Sequence, residues 1–213
     1  MIRDFVMADR DEVPDVAQKR LPPGKVKIME ALKVLLEQKE FTSITTSELA
    51  ATAGVTEGLI YKYFKDKRDV LHVVLSDYVD FFLTRLEKEL RDTKGSLNKL
   101  RKLIRIHITM YAHNRVFSRI LILEVRNHPD YFHSDAYSTV KRYTSLLMGI
   151  IEEGRAEGFI RRDIPPAVIR QLILGGIEHT CLPSVLFLHA LNPEGVSEQL
   201  CELIFRGIME STE

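Results

Sequence analysis

The 213-residue chain has no excess of charge of either sign, since Lys+Arg and Asp+Glu each total 30. That balance excludes a global field drawing the molecule onto nucleic acid or a membrane, so any site for a polyanion has to be local. Cysteine is scarce. Cys181 and Cys201 form neither a CxxC pair nor a disulfide framework; this suits a reducing compartment, and both read as small buried apolar side chains. No apolar run approaches the ~20 residues of a membrane-spanning helix. The opening segment MIRDFVMADRDEVPDVAQKRLPP mixes acids with bases and holds no signal-peptide run. A cytoplasmic location with no membrane partner is therefore expected. Missing as well are a Gly-rich phosphate loop, a nucleophile elbow, an HExxH pair and a carboxylate dyad at informative spacing. Catalysis is disfavoured by these absences, and no cofactor is expected. Neither alternating strands nor an internal repeat stands out.

What is present is helix. Hydrophobic residues make up 45% of the chain, enough to bury a core. From Lys25 to Gln38 the residues Ile28, Ala31, Leu32, Leu35 and Leu36 recur at helical spacing. Thr45 with Glu48 three residues on reads as a capping box opening a second helix, which Gly54 stops. Thr56 can cap a third short helix through Tyr61 or Lys62. Asp66 can cap a long one running to about Arg91, with Val70, Leu71, Val74, Leu75, Tyr78, Phe82 and Leu86 as its apolar stripe. Further helices are expected from beyond Gly95 to about Asn114, from Val116 to about Asn127, from Ser134 to Glu157, and over 165–189 and 194–211. Stops are legible at Pro129, Gly158, Pro165-Pro166 and Asn192-Pro193. Residues 1–22 read as a tail, 23–72 as a small domain and 73–213 as a larger one.

The pair of short helices joined by a glycine turn is the sequence form of a helix-turn-helix. Its second helix, in GVTEGLIYKYFKDKRDVL, places tyrosines among lysines, with Gly58 bare of a side chain so that this face can approach another surface closely. A major groove accepts one helix, while hydroxyls and ammonium groups bind phosphate oxygens. Residues 19–75 hold ten Lys+Arg against seven Asp+Glu, and four of those ten fall between Lys62 and Arg68. The charge is weak but placed.

Residues 25–72, and above all SELAATAGVTEGLIYKYFKDKRDVL, resemble the N-terminal DNA-binding domain of the TetR family of bacterial transcriptional repressors. The resemblance implies an all-α fold: a three-helix helix-turn-helix domain joined by a long helix to a C-terminal helical ligand-binding and dimerisation domain. By position it implies DNA contacts from Thr56, Gly58, Leu59, Tyr61, Lys62 and Tyr63, a phosphate clamp at Lys67, and contacts from Thr45, Thr46 and Ser47. Leu59 stands where many relatives carry a small or hydroxylated residue. The partners implied are a double-stranded operator, a second copy of the chain and a hydrophobic small-molecule effector.

In the larger domain, Leu172, Gly175, Gly176 and Ile177 with Val196, Leu200, Leu203, Ile204 and Ile208 can close a four-helix bundle across a two-fold axis. A homodimer is expected, and with it a palindromic operator whose half-sites lie ~34–36 Å apart or a multiple of that. For the effector, Leu103, His107, Met110, Tyr111, Leu121, Val125, Leu147, Ile151, Ile173 and Ile177 can line an apolar cavity or simply form core. The stretch IIEEGRAEGFIRRDIPPAVIRQLILGGIEHT is similar to the family branch that regulates fatty-acid degradation and responds to long-chain acyl-CoA, which makes acyl-CoA the leading effector and an aromatic or drug-like hydrophobe the alternative. A metal site from His107, His179, Glu124, His128 and His133 is a further alternative, though no ligand motif supports it and none is expected.

Overall fold

In a computed structural model of the protein, the residues described are 21–187 and 189–210. The tail expected over 1–22 lies almost wholly outside them. Contacts divide the chain after Val74 into two compact units.

The first unit is three helices closed by the start of a fourth. α1 (Pro23–Gln38) opens with proline in its first turn, where the missing N–H costs nothing because no intrahelical partner exists for it. Its apolar stripe buries Ile28, Met29, Leu32, Leu35 and Leu36. A 3₁₀ turn at Phe41–Ser43 leads to α2 (Thr46–Ala53). The Thr45 hydroxyl accepts from the Glu48 N–H at 3.1 Å, but the Glu48 carboxylate turns to Lys39 at 2.6 Å, so only half of the expected capping box forms. Gly54 ends α2 in the left-handed region, at φ 64° and ψ 40°. There the Val55 N–H reaches Ala50 O and the Gly54 N–H reaches Ala51 O, a Schellman-type stop that favours glycine. α3 (Glu57–Tyr63) follows at once. α4 (Lys67–Arg91) begins where Asp66 accepts from the Asp69 N–H at 2.8 Å and Asp69 accepts from the Lys65 N–H at 2.9 Å.

The second unit is built around α5 (Ser96–His113), which packs on α7 (Asp135–Ala156), α8 (Pro166–Phe187) and α9 (Pro193–Ile208). Phe82, Leu83, Leu86 and Leu90 of α4 join the same core. Two segments depart from the sequence expectation. The helix expected over 116–127 is a short α6 (Arg115–Arg119) continued by π-turns over Ile120–Val125, and a 3₁₀ turn occupies Pro129–His133. The wider π register keeps Ile120, Leu121 and Val125 buried while Leu123 stands 42% exposed. Pro183 sits inside α8, where the ring denies the backbone one intrahelical donor. One antiparallel bridge, Ile160 with Met209, ties the chain after α7 to the end of α9. Cys181 and Cys201 are both buried and free, and burial pushes their thiols up to about 12 and about 11.

Candidate nucleic-acid interface and effector core

α3 has two chemically distinct faces. Ile60 is fully buried and Phe64, just past the helix, is nearly so; these anchor α3 on α1 and α2. Leu59 and Tyr63, one turn apart, lie over Gly24 near the start of α1. A β-carbon at Gly24 would sit 2.9 Å from Leu59 Cδ2 and 3.3 Å from Tyr63 Cε2, so glycine there is what lets α3 seat closely. The opposite face carries Glu57, Gly58, Tyr61 and Lys62, all exposed, with Tyr61 56% so. Thr56 occupies the N-cap position with extended backbone, yet its hydroxyl makes no capping bond. The hydroxyl therefore stays available on the exposed side rather than being consumed by the helix, contrary to the capping role expected of it.

Of the ten residues expected at DNA, Thr45, Ser47, Thr56, Gly58, Tyr61 and Lys62 are exposed, while Thr46, Leu59, Tyr63 and Lys67 are half-buried. Lys67 is placed differently from the other basic residues. Its ammonium donates to Phe41 O at 2.9 Å and to Ile44 O, and lies 4.4 Å from the Phe41 ring centroid. Lysine here closes the carbonyl end of the 3₁₀ turn and pins it to the start of α4. Sequence reasoning missed this because the two carbonyls belong to a turn more than 20 residues upstream. The inward roles of Leu59 and Tyr63 had a signal, the i, i+4 spacing on the Ile60 side of a short helix.

All ten candidate effector residues fall in the second unit, and they pack as core. Leu103, Tyr111, Leu147, Ile151, Ile173 and Ile177 belong to one buried cluster with Met110 against it. Leu121 and Val125 are buried on the π-turns. His107 is 92% shielded, stacked on Tyr111 with centroids 5.0 Å apart, and edge-on to Tyr143. Its Nδ1 lies 2.7 Å from the Tyr143 hydroxyl. Burial, and secondarily the Arg126 charge, depress the imidazole to about 3, so it is neutral at physiological pH. Tyr143 was not anticipated, although it heads the stripe that continues through Leu147 and Ile151 on α7. A separate groove of about 330 Å³ between α5 and α9 is lined by Arg101, Lys102, Arg105, Glu194 and Glu198 and includes none of the candidate effector residues.

Among the described residues no group of three His, Cys, Asp or Glu is placed to hold a metal ion. Of the histidines considered for a metal, His107 is bonded to Tyr143, and His128 Nδ1 lies 3.5 Å from Asp130 Oδ2. No helix among the described residues is long and apolar enough to cross a membrane.

The fold and the exposed α3 face together define a two-unit, all-helical protein of the helix-turn-helix class. Residues 28–74 match the model for bacterial regulatory proteins of the tetR family, and residues 75–207 match that for the C-terminal region of YsiA-like proteins. The chain belongs to the TetR family of bacterial regulatory proteins, and it is a DNA-binding transcriptional regulator rather than an enzyme. It is 27% identical over 191 residues to the fatty acid metabolism regulator protein of Bacillus subtilis, covering 90% of this chain and 97% of that one. It is 23% identical to the HTH-type transcriptional repressor KstR2 of Mycolicibacterium smegmatis, over 86% and 90% of the two chains. The crystal structure of the B. subtilis regulator FadR, in complex with stearoyl-CoA, superposes with a TM-score of 0.77 at 26% identity, covering 86% of this chain and 98% of that one.

Proposed function

We propose that this regulator binds a palindromic operator as a homodimer, represses from it, and is released by a hydrophobic effector, with long-chain acyl-CoA as the leading candidate. The observation that carries the reading is the outward face of α3, where Tyr61 and Lys62 stand exposed beside the bare Gly58 on a helix whose other side is locked into the core. Such a face enters a major groove, with ammonium and hydroxyl groups on phosphates. Thr45, Ser47, Thr56, Gly58, Tyr61 and Lys62 form the contact surface, and Thr46 flanks it. Leu59, Tyr63 and Lys67 hold it in place.

Dimerisation is supported by an apolar surface on α8 and α9: Val168 and Leu172 are each 50% exposed, Phe187 67% and Leu203 72%. Isolated exposed leucines are ordinary, but several large ones on adjoining helices mark an interaction face. A β-carbon on the exposed Gly175 would meet nothing within 4 Å, whereas one on Gly176 would lie 3.3 Å from Leu200 Cδ1, so Gly176 serves packing within the chain. Ile177, Ile204 and Ile208 are buried core residues. The acyl-CoA assignment is supported by the similarity to a regulator crystallised with stearoyl-CoA and by the apolar core around Leu103, Leu147 and Ile173. Effector binding would favour an arrangement of the dimer that fits the operator poorly, so that DNA and effector oppose one another through reciprocal coupling.

The test is operator binding by fluorescence anisotropy across a salt series, using duplexes selected from random sequence. Lys62→Ala is expected to weaken binding to all sequences and to lower the log–log salt slope by about 1. Tyr61→Ala is expected to weaken it with the melting temperature unchanged. Palmitoyl-CoA is expected to release the parent protein from DNA. Full operator affinity in the Tyr61→Ala, Lys62→Ala double variant would remove α3 as the reading surface.

A further inference from the structure

Seven lysines lie between Lys25 and Lys67 in the first unit, and their surroundings divide them. Lys33 is paired with Glu30 at 2.8 Å, Lys39 with Glu48 at 2.6 Å, and Lys67 is bonded to the Phe41 and Ile44 carbonyls. Lys25, Lys62 and Lys65 meet no carboxylate at ion-pair distance among the described residues. Aromatic rings hold two of them instead. Lys25 Nζ lies 5.3 Å from the Phe64 ring centroid and Lys62 Nζ 5.8 Å from that of Tyr63. Two successive rings at the end of α3 thus each face one ammonium, Lys25 reaching there from α1. Lys65 follows Phe64 and is exposed. The acids next to it, Asp66 and Asp69, turn their carboxylates to backbone N–H groups. A ring attracts an ammonium through its quadrupole without neutralising it, whereas a carboxylate cancels the charge. Cations left uncancelled therefore gather round one end of α3. Lys27, also without an acid partner, sits two residues past Lys25 and so on another side of α1.

We propose that the start of α1 is a second element of the DNA interface, in which Lys25, together with Lys65, grips backbone phosphates bordering the groove that α3 enters. The inference rests on the reading of α3 as the helix that enters DNA. Leu59 and Tyr63 of α3 seat directly on Gly24, the residue before Lys25, so the start of α1 lies along the flank of α3. Rows of phosphates wall a groove, and a helix lying in it brings the residues on its flank against such a wall. The chain as a whole has no net charge, which leaves local cations of this kind to hold a polyanion. Stacking of Lys25 against Phe64 also restricts the stem before DNA arrives, so less side-chain freedom is lost on binding. An ammonium is a point charge that fixes position on the duplex and reads no base.

The experiment measures binding of the full-length variants Lys25→Gln, Lys25→Arg, Lys65→Gln and Lys33→Gln by fluorescence anisotropy between about 50 and 200 mM salt. Each is titrated against the selected operator and an unrelated duplex. Lys25→Gln and Lys65→Gln are each expected to lower the log–log salt slope by about 0.9 per protomer bound, so that the deficit is about threefold larger at the low-salt end. The deficit is expected to be the same on both duplexes. Lys25→Arg keeps the charge and is expected to keep the parent slope, and Lys33→Gln, whose partner is Glu30, is expected to keep it as well. A merely structural Lys25 would cost affinity equally at every salt concentration. A parent-like slope in Lys25→Gln or Lys65→Gln, an equal fall in Lys33→Gln, or a deficit confined to the operator would overturn the proposal. Lowered slopes in Lys25→Gln and Lys65→Gln alongside full operator affinity in the Tyr61→Ala, Lys62→Ala double variant would uphold the phosphate contacts and remove α3 as the reading helix. Parent-like slopes alongside lost affinity in that double variant would remove the α1 contact alone.

Discussion

Lys67 shows how the role of a charged side chain is decided by what lies within reach of it. Two of its three N–H donors end on Phe41 and Ile44 carbonyls, and an ammonium bonded to backbone oxygens is stronger than a neutral pair. Lys67→Ala is therefore expected to destabilise the protein by about 1–3 kcal/mol in urea unfolding, with lost DNA affinity following from lost structure. Lys62→Ala, on an exposed side chain with only a 5.8 Å approach to the Tyr63 ring, is expected to change stability by less than about 0.5 kcal/mol. His107 gives a pH signature. Its folded value, about 3, lies below the ordinary 6.5, so between those limits the unfolded chain holds a proton that the native state does not. Stability is thus fully present above about 6.5 and falls as pH drops, by up to about 1.4 kcal/mol per pH unit from this group. Unfolding at pH 7, 6 and 5 is expected to show a shallower acid loss in His107→Phe than in the parent.

At the scale of elements, short helices are placed by their neighbours. α3 has seven residues, too few to be stable alone, and its orientation comes from Ile60, Leu59 and Tyr63 seated against α1. Gly24 permits that seat, and Gly154 permits another: a β-carbon on Gly154 would meet Ile160 Cδ1 at 2.6 Å and Ser96 Oγ at 2.8 Å. Ser96 opens α5, and its N–H and hydroxyl both donate to the Glu157 carboxylate just past α7. The hydroxyl bond, then the backbone one, holds Glu157 below the usual carboxylate range. Gly154→Ala is expected to push α7 off α5 and cost about 1–3 kcal/mol as overpacking, visible as a lowered urea midpoint with unchanged slope. The π-turns over Ile120–Val125 belong to this scale too. Their apolar spacing is compatible with a plain helix, and only burial against neighbouring elements selects the wider register.

For the whole molecule, the exposed apolar face of α8 and α9 carries the assembly prediction. Leu203→Glu alters a side chain that is 72% exposed, so it is expected to leave thermal stability of the single chain nearly unchanged. In a dimer it would bury an unpaired charge. Sedimentation velocity is expected to show a monomer, and operator affinity to fall steeply because one recognition helix then reaches only one half-site.

The sequence alone determined the helical architecture and the helix-turn-helix, since these depend on local signals: Thr45, Gly54, Asp66 and the 3.6-residue apolar period. It also brought the effector candidates together, because residues on apolar stripes converge in a core. Only the tertiary structure decided which way each ambivalent side chain faces. Leu59 and Tyr63 turned inward onto Gly24, Lys67 closed a turn, and Tyr143 met His107 from another helix. Those outcomes depend on atoms far away in sequence, and no local pattern of residues encodes the distance between them.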